Sequence, residues 1–173
     1  MKTLILGGVR SGKSRLAESL ALRSRRPVSY IATATAGDVE MQSRIEAHRT
    51  RRPTDWLVVE EPIRLAATLQ QCADEHAFVI VDCLTLWLTN LLVANDDASL
   101  QHEKDALIAV LPRLPGDVVF VSNETSMGVS PLGELTRRFI DEAGQLHQQL
   151  AHGCERVVLT VAGLPSILKG EPL

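Results

Sequence analysis

Cysteine is scarce in this sequence. There are three in 173 residues (Cys72, Cys83, Cys154), with no C-x-x-C pair. That excludes a disulfide framework and a thiolate zinc site, and it fits a reduced, cytoplasmic compartment. Long hydrophobic runs are also missing. The most apolar stretches, Ala77–Val81 and Val157–Ala162, are strand-sized, far short of the roughly 20 residues a bilayer-spanning helix needs, so no membrane span is expected. Met1–Gly8 carries one charge and too short an apolar run for a signal peptide. A basic surplus is absent: the net charge is −3, which does not favour nucleic acid as a partner. Internal repeats and low-complexity segments are absent too. What is present is ordinary globular composition, 45% hydrophobic and 23% charged, at a length expected to form a single nucleotide-binding domain over 1–173.

Short Val/Ile-rich runs alternate with helical stretches. Strands are predicted at Lys2–Leu6, Val28–Thr33, Trp56–Val59, Phe78–Asp82, Val118–Ser122 and Arg156–Val161, the last of them. Helices are predicted at Lys13–Arg25, Asp38–Arg51, Ile63–Ala73, Leu84–Leu92, Leu100–Leu111 and within Pro131–Ala151. Doubly buried strands alternating with helices are the pattern of an α/β fold with a mostly parallel central sheet between two helical layers. The tail after Gly163, with two prolines, is expected to wrap the surface.

Gly7-Gly8-Val9-Arg10-Ser11-Gly12-Lys13-Ser14 fits G-x-x-x-x-G-K-[ST] between a predicted strand and a predicted helix. Glycines let the loop curl so that backbone N–H groups face a phosphate, and the helix N-terminus adds the positive end of a dipole. Lys13 then reaches the β and γ oxygens, and the Ser14 hydroxyl is placed to ligate Mg²⁺. The motif places the domain among P-loop NTPase-type three-layer sandwiches. Asp82 ends the apolar strand Phe78–Asp82, expected to lie next to the first strand, where its carboxylate would hold a Mg²⁺-bound water. Its other reading is a cap for the helix that starts near Leu84.

Arg44, His48 and Arg52 are spaced four apart on the predicted second helix and its exit. A histidine among arginines can act as a nucleophile toward phosphate. Composition and spacing alone favour a solvated basic face with an incidental histidine. Glu60 and Glu61, before Pro62, read as surface acids. The segment Ser122–Gly128 follows a strand, so it is either a substrate contact at the crevice of an open sheet or an ordinary turn. His76, His102, His147 and His152 show no metal spacing or charged pairing and read as structural or surface residues.

Together, residues 7–14, Tyr30-Ile31-Ala32-Thr33, Arg44-Ile45-x-x-His48-x-x-x-Arg52-Pro53-x-x-Trp56, Glu60, the Val81–Leu91 segment, and Ser122-Asn123-Glu124 before Met127-Gly128 resemble one family. It is the bifunctional adenosylcobinamide kinase / adenosylcobinamide-phosphate guanylyltransferase family of cobalamin biosynthesis, and the resemblance runs from Met1 to about Gly163. It implies phosphorylation of the aminopropanol hydroxyl of adenosylcobinamide by ATP or GTP. It then implies transfer of GMP from GTP to that phosphate, giving adenosyl-GDP-cobinamide and pyrophosphate. The family histidine that carries GMP as a phosphoramidate maps to His48, which the resemblance makes catalytic together with Lys13. It also implies nucleotide contacts from Thr33, Ala34 and Thr35, from Arg51, Arg52, Pro53 and Thr54, and from Glu60 and Asp82. The partner is a corrinoid, and the assembly a homotrimer that the hydrophobic helix Leu84–Leu92 would support. Two departures, Thr125-Ser126 where the family has Val-Gly and His147-Gln148 where it has Asn-Gln, lie away from the nucleotide motifs and bear on corrinoid contacts. A monofunctional kinase would share the loop and Asp82 but leave His48 without a task. A regulatory GTPase would carry N-K-x-D, which is absent, and a non-catalytic assembly module would not need Lys13 and Ser14.

Overall fold

A computed structural model describes residues 1–35 and 53–173. The predicted helix at Asp38–Arg51, with His48, Arg51 and Arg52, lies outside the described residues. Along the rest of the chain run β1 (Lys2–Gly7), α1 (Lys13–Ser24), β2 (Val28–Ala32), β3 (Leu57–Glu60), α2 (Leu65–Cys72), β4 (Phe78–Asp82), α3 (Leu84–Val93), α4 (Asp97–Val110), a 3₁₀ turn at Leu111–Arg113, β5 (Asp117–Asn123), α5 (Glu134–Gly153), β6 (Arg156–Val161) and β7 (Leu164–Lys169). The strands form one sheet in the order β3-β2-β4-β5-β1-β6-β7. All neighbours are parallel except β6–β7, as the alternation of strands and helices requires.

Burial explains the pattern. β1, β4 and β5 bury nearly every residue because helices cover both faces of the sheet. Ala17 and Ala21 of α1 pack with Ile5, Tyr30 and Ile80 on one face. On the other, α2 to α5 close over Leu4, Val79 and Phe120. Trp87 is fully buried there, and its indole N–H donates to Ile63 O at 2.7 Å, so its polar end is satisfied inside the core. In α4, the Asp96 side chain accepts from the Ala98 and Ser99 amides, so the helix starts three residues before the predicted Leu100.

Two expectations are corrected. β4 is not next to β1, because β5 stands between them. Strand order is a non-local choice that hydrophobic runs do not encode. The tail after Gly163 is not a surface wrap. Ala162 (φ 51°) and Gly163 (φ 81°) make a two-residue turn, and β7 returns antiparallel along β6, with Pro165 tolerated because β7 is an edge strand. The apolar face of α3, carrying Leu84, Trp87, Leu88, Leu91 and Leu92, packs inside the subunit core, while Val93 at its end is exposed.

Candidate active site

The loop after β1 leaves the C-terminal edge of the parallel strands, where Asp82, Asn123 and Thr160 also stand, the edge at which an open parallel sheet carries its ligand crevice. Gly7 is obligatory there: a Cβ would lie 2.4 Å from Thr160 O and 2.6 Å from Ser11 Oγ. Arg10 and Gly12 take left-handed φ values of 56° and 102°, curling the chain back so that Ser11 N donates to Gly8 O at 3.2 Å. The β6–β7 turn braces this curl. Gly163 N donates to Ser11 O at 2.9 Å, and the Ser11 and Thr160 hydroxyls lie 3.0 Å apart. The first bond of the α1 ladder runs from Leu16 N to Gly12 O at 2.9 Å. The amides of Lys13, Ser14 and Arg15 precede it and have no acceptor within the helix, as an anion site requires.

Lys13 is 7% exposed, and its ammonium donates to Gly8 O at 2.7 Å. Burial pushes its pKa below the usual lysine value, opposed by the charge of Asp82, so the two side chains belong to one electrostatic site. Asp82 Oδ2 accepts from the Tyr30 hydroxyl at 2.6 Å. The second oxygen of Asp82 and the Ser14 hydroxyl make no hydrogen bond among the described residues. Two hard oxygen donors left open beside a phosphate loop fit Mg²⁺, which takes one or two protein ligands and completes its shell with phosphate and water. The capping reading of Asp82 is not met: Cys83 is the N-cap of α3, without a side-chain bond. The Cys83 thiol is pushed up to about 12 by burial and by Asp82, so it is no thiolate nucleophile.

The segment after β2 is tied to the start of α3. The Thr33 hydroxyl donates to Cys83 O at 2.6 Å and accepts from Cys83 N at 2.9 Å. The Asn90 amide donates to Thr33 O at 2.8 Å, and Thr35 Oγ1 lies 3.2 Å from Asn90 Oδ1. Ala34, between them, is half-buried. Thr33 is therefore a clasp with its side chain already occupied. Glu60, exposed, ends β3 in register with Ala32, which is in register with Asp82, so it shares the crevice edge. Glu61 instead caps the turn into α2, accepting from the Ile63 and Arg64 amides. Pro53 and the exposed Thr54 lead toward Trp56, which packs 6.4 Å from the Tyr30 ring.

Sequence reading missed His147. It is 8% exposed, and its Nε2 lies 2.8 Å from Ser122 Oγ while Nδ1 lies 3.9 Å from Glu124 Oε2. No local signal finds this cluster, since its members come from β5, the residue that follows it and α5, 25 residues apart for the Ser122–His147 bond. Burial lowers the His147 pKa, only partly offset by Glu124, the one charged group that faces it among the described residues. A histidine lowered on folding favours the folded state fully above its unfolded pKa, and that stability is lost as pH falls through the ordinary histidine range toward the folded value. The drop in Tm between about pH 7.5 and about pH 5.5 is expected to be smaller in His147→Asn than in the unmodified chain, measured by thermal unfolding. An equal drop would place the acid sensitivity elsewhere.

The family model described as cobinamide kinase / cobinamide phosphate guanyltransferase matches residues 3–168. The chain is 61% identical over 173 residues to the bifunctional adenosylcobalamin biosynthesis protein CobP of Pseudomonas aeruginosa, covering all of both chains. It is 39% identical to the bifunctional adenosylcobalamin biosynthesis protein CobU of Escherichia coli, covering 95% of this chain and 97% of the relative. Among solved structures it is similar to a RadB recombinase, with a TM-score of 0.54 at 18% identity, covering 91% of this chain and 73% of that one. That likeness concerns the fold alone.

Proposed function

We propose a division of labour among the crevice residues of a chain that belongs to the cobinamide kinase / cobinamide phosphate guanyltransferase family. The protein is a bifunctional enzyme of adenosylcobalamin biosynthesis, with a kinase and a guanylyltransferase activity. In the kinase step the 7–14 loop amides and Lys13 hold the β and γ phosphates of ATP or GTP, and the aminopropanol hydroxyl of adenosylcobinamide attacks the γ phosphorus. In the second step His48 attacks the α phosphorus of GTP, releases pyrophosphate and passes GMP to the new phosphate. The observation that supports this reading is a buried Lys13 in a curled phosphate loop, electrostatically linked to Asp82 across the same crevice.

Ser14 and Asp82 are the residues that would hold Mg²⁺, whose charge would offset that of the phosphate oxygens when bound. Thr33, Ala34 and Thr35 contribute through a backbone held by Cys83 and Asn90. Glu60, Arg51, Arg52, Pro53 and Thr54 would line the nucleotide's other end. The compartment is the cytoplasm, in keeping with three free cysteines, and the assembly is a homotrimer, to be checked by light scattering. Incubation with GTP and Mg²⁺ followed by intact-mass measurement tests the whole reading: a covalent GMP adduct is expected, and its absence would leave only a kinase.

Asp82→Asn is expected to weaken apparent Mg²⁺ affinity by about 10- to 100-fold in both activities, with rescue by excess Mg²⁺. A titration of rate against Mg²⁺ checks this. A loss that no Mg²⁺ concentration repairs, with a lowered Tm, would assign Asp82 to holding Tyr30 instead.

A further inference from the structure

β5 lies between β1, which delivers the phosphate loop, and β4, which ends in Asp82. Register sets Gly7 opposite Asn123 and Asp82 opposite Val121, and Glu124 N donates to Gly7 O at 3.0 Å. The backbone at Glu124 therefore lies between the strand that delivers the phosphate loop and the strand that ends in the acid. Its side chain is 14% exposed. Oε1 accepts from both the amide and the hydroxyl of Ser126, and Oε2 faces His147 Nδ1 at 3.9 Å. Burial raises the pKa of the carboxyl, but the Ser126 bonds, His147 and the Thr125 amide together hold it below the usual carboxylate value. A carboxylate so anchored stays ionised and is able to accept a proton.

The surrounding polar groups have a direction. Asn123 N–H donates to Thr85 Oγ1 at 2.8 Å, the Thr85 hydroxyl lies 3.3 Å from Ser122 Oγ, and Ser122 Oγ lies 2.8 Å from His147 Nε2. With a carboxylate on its Nδ1 side, the neutral imidazole is favoured as the tautomer whose Nδ1–H points at Glu124 and whose Nε2 accepts from Ser122. The cluster thus holds the glutamate at both ends of its carboxylate, Oε1 on Ser126 and Oε2 toward His147.

We propose that Glu124 takes the proton of the acceptor hydroxyl in the kinase step, with His147 as its positioning residue. The proposal rests on the kinase reading above and adds the base to it. The hydroxyl oxygen bonds to the γ phosphorus as the bond from that phosphorus to the β–γ bridging oxygen breaks. The bond's electron pair leaves with the nucleoside diphosphate, and the hydroxyl proton ends on Glu124 Oε2. Guanylyl transfer makes no such demand, because its acceptor is an ionised phosphate with no proton to lose. The two activities should therefore separate.

Phosphate transfer to adenosylcobinamide, and GMP transfer to adenosylcobinamide phosphate supplied ready-made, are measured on the same protein. Glu124→Gln is expected to lower the kinase kcat by about 10²–10⁴-fold with KM nearly unchanged, while GMP transfer persists and reports a folded crevice. Glu124→Asp should recover part of the loss. His147→Asn should lower the kinase kcat by about tenfold, again without a KM change. Equal loss of both activities in Glu124→Gln would make Glu124 a structural tie to Gly7 and overturn the proposal, as would an undiminished kinase rate. Failure of the unmodified protein to phosphorylate adenosylcobinamide would instead sink the kinase reading itself.

Discussion

Lys13→Ala is expected to abolish both activities, by at least about 10²–10³-fold each. Lys13 is the one side chain that the loop motif places on the β and γ oxygens, and both proposed steps break a bond in that triphosphate, β–γ in one and α–β in the other. The side chain is pre-organised: buried, its ammonium held at 2.7 Å from Gly8 O inside the loop it serves. Alanine removes the charge and leaves Gly8 O with Ser11 N as its remaining donor, and the curl of the loop is further held by Gly163 N on Ser11 O and by the Ser11–Thr160 contact. The fold should survive, with Tm the control. Full guanylyl transfer by this variant would show that a second nucleotide site handles that step.

His48→Asn is expected to lose the covalent GMP adduct and guanylyl transfer and to keep phosphorylation of adenosylcobinamide, which needs the loop, Mg²⁺ and a positioned hydroxyl. Attack on phosphorus requires a neutral imidazole. Adduct formation should therefore fall as pH drops through the histidine range, about 6.5 for an unperturbed side chain. The phosphoramidate should be acid-labile and stable in base. Among the cysteines, the Cys83 and Cys154 thiols are pushed up to about 12 by burial, and burial raises that of Cys72 as well. None competes as a nucleophile at neutral pH. Labelling with α-labelled GTP and a base quench is the direct test, and label retained by the variant would move the nucleophile elsewhere.

The sequence alone determined whatever a few consecutive residues decide. Residues 7–14 specify a phosphate loop because glycine backbones, a helix start and a lysine act within one turn of chain, and the structure places them as a curled loop at the head of α1. The β1, β4 and β5 strands were legible to within a residue because burial on both faces leaves uninterrupted apolar runs. The resemblance likewise assigned the family from linear motifs. Tertiary structure decided what depends on distant residues meeting. β5 stands between β1 and β4, the chain after Gly163 pairs back on β6, and the apolar face of α3 is consumed by the core. Above all, His147 reads as an ordinary histidine in a polar helix. Only the packing of α5 over β5 brings it to Ser122 and Glu124, because side chains 25 and 23 positions apart have no periodicity in common and are joined by the fold alone.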